Sequence, residues 1–140
     1  MSTNASLSPD ERKQVSDSAV RWHNAGCLIL PATPDGSKRP LGNWGDIRDG
    51  KRPAPSLDAT LDAIRAGRSD GIAVICGECS GHLEMLEADT TDIELVAEAY
   101  SHIERAGLAD IWDAIRAGVE ERSPKGGLHW YYRTPGPALG

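Results

Sequence analysis

Two sets of residues in one stretch, VICGECSGHLEMLEADTTD (residues 74–92), have types and spacings that could do chemistry. Glu87 and Asp89 form an acid-x-acid pair. On an extended segment alternate side chains share a side, with backbones ~6.5–7 Å apart, so the two carboxylates can converge on one or two divalent ions. Hard cations held by carboxylates, with open positions for phosphate oxygens, are what nucleotidyl transfer requires. Just upstream, Cys76, Cys79 and His82 follow at three-residue steps, as in half of a zinc site. A fourth ligand would have to come from His23, Cys27, His102 or His129, each standing alone in the sequence. The segment also leads into a strand instead of opening a helix, which argues against a thioredoxin-type motif. A small zinc-stabilised interaction domain is therefore the weaker reading.

An acid-x-acid pair gains meaning only if something nearby handles a triphosphate, and SPKGGLHWYYR (residues 123–133) supplies a candidate. Lys125 brings a point charge, and Gly126 and Gly127 would let backbone N–H groups approach phosphate oxygens. His129 is expected on the following strand, sharing a face with Tyr131 and Arg133, while Leu128, Trp130 and Tyr132 take the other face. One sheet face could thus carry two carboxylates, a histidine and an arginine.

The elements that must position these groups follow from local signals. Ser8-Pro9-Asp10-Glu11 predicts a capping box and a helix to about Asn24, with Val15, Ala19 and Trp22 on one stripe and Gly26 as terminator. CLILPA predicts a buried strand. Residues 33–55, rich in proline and glycine, predict a long irregular connection. Ser56 caps a second helix, LDATLDAIRA, closed by Gly67. GIAVICG and HLEMLEA predict two strands, the second with 83, 85, 87 and 89 on one face. Thr91 and Glu94 predict a capping box for a helix with Ile93, Val96, Ala97, Tyr100 and Ile103 in register. A short helix around Ile111–Ala117 and the strands VEERS and GLHWYYR complete an α+β fold, a mixed sheet flanked by helices. DAIRAG occurs twice, at Asp62–Gly67 and Asp113–Gly118, each reading as a helix end closed by glycine.

The chain has 140 residues, 39% hydrophobic and 26% charged, with a net charge of −6, which fits one soluble domain after a disordered segment 1–8. Bulk attraction to nucleic acid is disfavoured by that charge. A local basic stretch exists between Gly36 and Arg52, where Lys38, Arg39, Arg48, Lys51 and Arg52 face only Asp46 and Asp49. Its affinity for a nucleic acid would fall steeply with salt. No apolar run is long enough to span a bilayer, and three cysteines point to a reducing, cytoplasmic setting rather than a disulfide framework.

Taken in order along the chain, these features resemble the bifunctional DNA primase/polymerase (Prim-Pol) domain of the archaeo-eukaryotic primase superfamily, found on phages, plasmids and mobile elements. The resemblance spans roughly residues 19–135. It rests on AGCLILPA, then SKRP and GNW, then ICGECSGHL, the acidic strand, and GGLHWYY. It implies an RRM-like primase-polymerase core, template-directed transfer of nucleotides to a 3′-hydroxyl, and Mg²⁺ or Mn²⁺ as cofactor. Nucleoside triphosphates and a single-stranded DNA template are the implied partners, with a replicative helicase domain or protein as a further one. Carried over, Glu87 and Asp89 match the metal-binding aspartates and His129 the histidine at the triphosphate. Lys38 matches a basic residue near nucleotide or template, where Arg39 and Arg133 could also face. The pattern also implies that Gly77, Ser80 and Gly81 shape the turn, while Cys76, Cys79 and His82 are incidental. Two departures stand out: glutamate replaces aspartate at position 87, and the family's third acidic ligand, on a later strand, has no counterpart after Tyr132. The expectation is either the N-terminal portion of a longer catalytic domain or a non-catalytic relative that binds nucleotide or DNA.

Overall fold

Ser8 opens the first helix, α1 (Pro9–Asn24), through a complete capping box. The Glu11 amide donates to the Ser8 hydroxyl at 3.2 Å, and the Ser8 amide donates to the Glu11 carboxylate at 3.1 Å. Those bonds from the Ser8 backbone and side chain hold the Glu11 carboxyl below its usual range. The cap is therefore in place at neutral pH and loosens as pH falls through that lowered value. α1 ends at Asn24 with Ala25 as its C-cap, and Gly26 follows with a φ of 83° in the left-handed region.

The computed structural model describes residues 7–35, 37, 39–122 and 126–135. Contacts cluster in two units, Met1–Gly81 and His82–Gly140. In the first, β1 (Leu28–Pro31) and β2 (Ile72–Ile75) pair antiparallel, from Leu28 opposite Ile75 to Pro31 opposite Ile72. Against them pack α1 and α3 (Leu57–Arg65), so that Ala19, Ile29, Leu61 and Ile64 form the core with Val15, Val20 and Trp22 at its edge. The apolar stripe predicted for α1 is the face that is buried. Ser56 caps α3 by accepting the Ala59 amide at 3.1 Å. Ser56→Ala should cost the chain about 1 kcal/mol in urea unfolding; an unchanged midpoint would mean that this cap contributes nothing.

The connection expected to be irregular contains a short helix, α2 (Trp44–Arg48), capped by Asn43 and covered by the Arg48 guanidinium 5.1 Å above the Trp44 ring. The Asn43 cap and the Trp44–Arg48 contact lie within one turn, and they outweigh the helix-weakening Gly45.

In the second unit, β3 (Leu83–Ala88), β4 (Val119–Arg122) and β5 (Leu128–Arg133) form an antiparallel sheet in the order β3-β5-β4. The α+β class holds. The strands are divided between two antiparallel sheets, whereas a single mixed sheet was expected. α4 (Ile93–Arg105) begins one residue later than the expected box: Asp92, not Thr91, caps it by accepting the Glu94 amide at 2.9 Å. Asp92 reaches the same amide without needing the longer Thr91–Glu94 loop. α5 (Ala109–Arg116) lays Trp112 edge-on against Trp130, ring centroids 5.0 Å apart.

The two DAIRAG copies end helices for different reasons. Gly67 has φ 76° and open space around it. At Gly118 a side chain would come within 3.1 Å of the Tyr131 carbonyl, so what is needed there is close approach of two backbones. No helix among the described residues is long and apolar enough to cross a membrane.

Candidate active site

Strand alternation and register together decide which groups meet. Along β5 the central strand places Trp130 inward, 3% exposed, which turns His129 and Tyr131 to the other face. The register sets Glu87 of β3 directly opposite His129. Their side chains meet, His129 Nε2 to Glu87 Oε1 at 3.2 Å. On the other flank of β5, Glu121 of β4 is also opposite His129, with its Oε1 3.7 Å from Nδ1. The imidazole therefore lies between two carboxylates supplied by the neighbouring strands.

Glu121 was not singled out in the sequence. Its signal was present but indirect: an antiparallel hairpin joining VEER to LHWYYR puts Glu121 across from His129, and that register cannot be read from either strand alone.

The last pair of the β3–β5 ladder is Ala88 opposite Leu128. Asp89 lies one residue beyond it, exposed and outside the strand. The expected face sharing needs both acids in one strand, and only Glu87 is: β3 ends at Ala88, so strand alternation does not fix the side to which Asp89 points. Gly126 and Gly127 precede β5 at this same end of the sheet. Gly126 has φ 88°, and a Cβ there would fall 2.7 Å from the Thr91 methyl. The diglycine turn is thereby packed against the segment that carries Asp89. Gly126→Ala should cost about 1–3 kcal/mol from backbone strain, with the contact against Thr91 added. Thr91→Ser removes the methyl and should recover part of that loss in thermal melts. No recovery would show that the two segments do not press together.

Arg133 shares the His129 face but is opposite Leu83, at the far end of β3. Four residues of extended chain put it ~14 Å from His129 along the strand. Lys125 and Lys38 lie outside the described residues.

In the first unit, the basic stretch carries less uncompensated charge than its composition suggests. Arg48 donates to Asp49 at 2.9 and 3.3 Å, and Arg52 is 3.7 Å from Asp46. The Arg48 hydrogen bond holds the Asp49 carboxyl below its usual range, and Asp49 raises the guanidinium in return. Both arginines line a cleft of about 840 Å³ with Gly50, Cys76, Gly77 and Cys79.

The turn 76–81 is built around Ser80. Its hydroxyl is buried, donates to the Ile75 carbonyl and accepts the Leu28 amide at 2.7 Å, fastening β1 to the end of β2. Gly77 at φ 100° and Gly81 at φ 66° allow that fold-back. The Cys79 thiol points to the carbonyl of Cys76 at 3.6 Å. Among the described residues, no group of three or more His, Cys, Asp or Glu is arranged to hold a metal ion, by either the cysteine or the carboxylate set.

No protein-family model, curated protein or solved structure matches the chain.

Proposed function

We propose that the chain carries a nucleotidyl-transfer site of the primase-polymerase kind, which binds a nucleoside triphosphate at the end of the β3-β5-β4 sheet and transfers its nucleoside monophosphate to a templated 3′-hydroxyl with release of pyrophosphate. The observation that carries this reading is the meeting of Glu87 and His129 across adjacent strands, beside the exit of Asp89 and the Gly126-Gly127 turn.

The residues fit the roles as follows. Glu87 and Asp89 offer hard oxygen donors, the kind that suits Mg²⁺ or Mn²⁺. Glu87 and Asp89 would hold such a cation and leave its other positions open to phosphate oxygens. When bound, it would neutralise charge on the phosphates as pyrophosphate leaves. His129 would contact a phosphate oxygen through Nε2, the ring nitrogen that lies 3.2 Å from Glu87. The diglycine turn brings backbone N–H groups to the same end of the sheet.

A second reading, binding of nucleotide or single-stranded DNA without turnover, is favoured by one observation: Asp89 lies beyond the end of β3, so strand pairing does not hold it beside Glu87. Primer extension on a DNA template with Mg²⁺ or Mn²⁺ separates the two. Template-dependent incorporation by the wild type supports transfer, and nucleotide binding with no incorporation supports the binding module. Metal affinity should also be coupled to nucleotide: Mn²⁺ titrated by electron spin resonance should bind at least ~10-fold more tightly with dATP present, after subtraction of free Mn–dATP, a coupling of about 1.4 kcal/mol. Equal affinity with and without dATP would remove the shared site.

A further inference from the structure

We infer that Glu121 is a positioning residue, which holds the His129 ring so that Nε2 faces Glu87 and the substrate side of the site. The inference rests on the reading of His129 as a triphosphate-contacting group, and its geometry is independent of that reading.

His129 Nδ1 is buried and has no hydrogen-bond partner among the described residues. A buried ring nitrogen without a partner is costly and calls for an explanation. Glu121 Oε1 lies 3.7 Å away, an ion-pair distance but too long for a hydrogen bond. The Glu121 side chain is 51% exposed, while that of His129 is 20% exposed. The carboxylate is thus the partner free to move, and a shift of roughly 0.5–1 Å would bring it within hydrogen-bond range of Nδ1, which donates when it carries the ring hydrogen. Tyr131, two residues on, presents its ring 6.4 Å from the imidazole at 85°, walling one side. On the opposite flank Nε2 is already engaged by Glu87 at 3.2 Å.

An imidazole can turn over about its Cβ–Cγ bond, which exchanges the nitrogens with ring carbons. Glu87 alone resists that turn from one edge. Glu121 resists it from the other, as carboxylates do behind histidines that ligate metals or substrates. Its effect on chemistry would therefore pass through the orientation of His129.

The test compares Glu121→Val, which keeps strand propensity but removes the acceptor, with Glu121→Gln, which keeps an oxygen acceptor. The first readout is the pair of His129 ring ¹⁵N resonances in the full chain, assigned by their loss in His129→Gln. They should move in Glu121→Val and return toward wild type in Glu121→Gln. The second is binding of Mg²⁺–dATP, which should weaken roughly 10-fold in Glu121→Val and less than about 2-fold in Glu121→Gln, with KM affected more than kcat. Ring resonances that are the same in Glu121→Val and wild type would overturn the inference. If the wild type binds no nucleotide, the transfer reading fails, and the ring resonances still decide what Glu121 does.

Discussion

Trp130→Ala is expected to destabilise the unit His82–Gly140 by about 3–5 kcal/mol, the largest stability effect of any single change considered. Trp130 is 3% exposed on the central strand and receives the edge of Trp112 at 5.0 Å, so its removal empties the contact that joins α5 to the sheet. Small domains have total stabilities of about 5–15 kcal/mol, so a loss of this size should leave a substantial fraction unfolded. Urea unfolding followed by far-ultraviolet circular dichroism would show it as a midpoint well below that of the wild type. Trp130→Phe should cost far less, because it keeps a ring in place and removes a buried indole N–H that has no hydrogen-bond partner among the described residues. Equal losses from alanine and phenylalanine would mean that the ring contact is not what stabilises this unit.

Glu87→Ala and Asp89→Ala should each lower template-directed incorporation on the order of 10²–10³-fold, the usual effect of removing one preorganised charge-stabilising group. Both side chains are exposed, so unfolding curves should shift by no more than about 0.5 kcal/mol. The two substitutions should differ at the histidine. Glu87→Ala also removes the partner of His129 Nε2 and so should raise KM for the nucleotide as well as lower kcat. Asp89→Ala should act chiefly on kcat. Undiminished extension by either variant, measured under single-turnover conditions, would remove that carboxylate from the proposed chemistry.

Much of the fold was legible in the sequence because it is written in local chemistry. The Ser8–Glu11 box, the Ser56 cap and the alternation of LHWYYR each need only a few neighbouring residues to be recognised, and each appears where it was predicted. α2 was hidden because its cap and its Arg48–Trp44 contact lie within a stretch dense in proline and glycine. The start of α4 moved by one residue because Thr91 and Asp92 are both competent caps, and which one closes the turn depends on the path of the preceding chain. Strand pairing is less local. Alternation assigned His129 and Glu87 to faces, but only the register could set them opposite each other or reveal Glu121 on the far side. The same register shows Arg133 at the wrong end of the strand to join them, and it shows the ladder ending before Asp89.

The most direct test is paramagnetic broadening of the four histidine ring signals by Mn²⁺ at substoichiometric concentration, with dATP present. A cation held by Glu87 and Asp89 with a nucleotide beside it should broaden the His129 Cε1–H resonance more strongly than that of His102 in the same unit, and the effect should disappear in Asp89→Ala. Equal broadening of His129 and His102, or stronger broadening of His102, would contradict a nucleotide site at this end of the sheet.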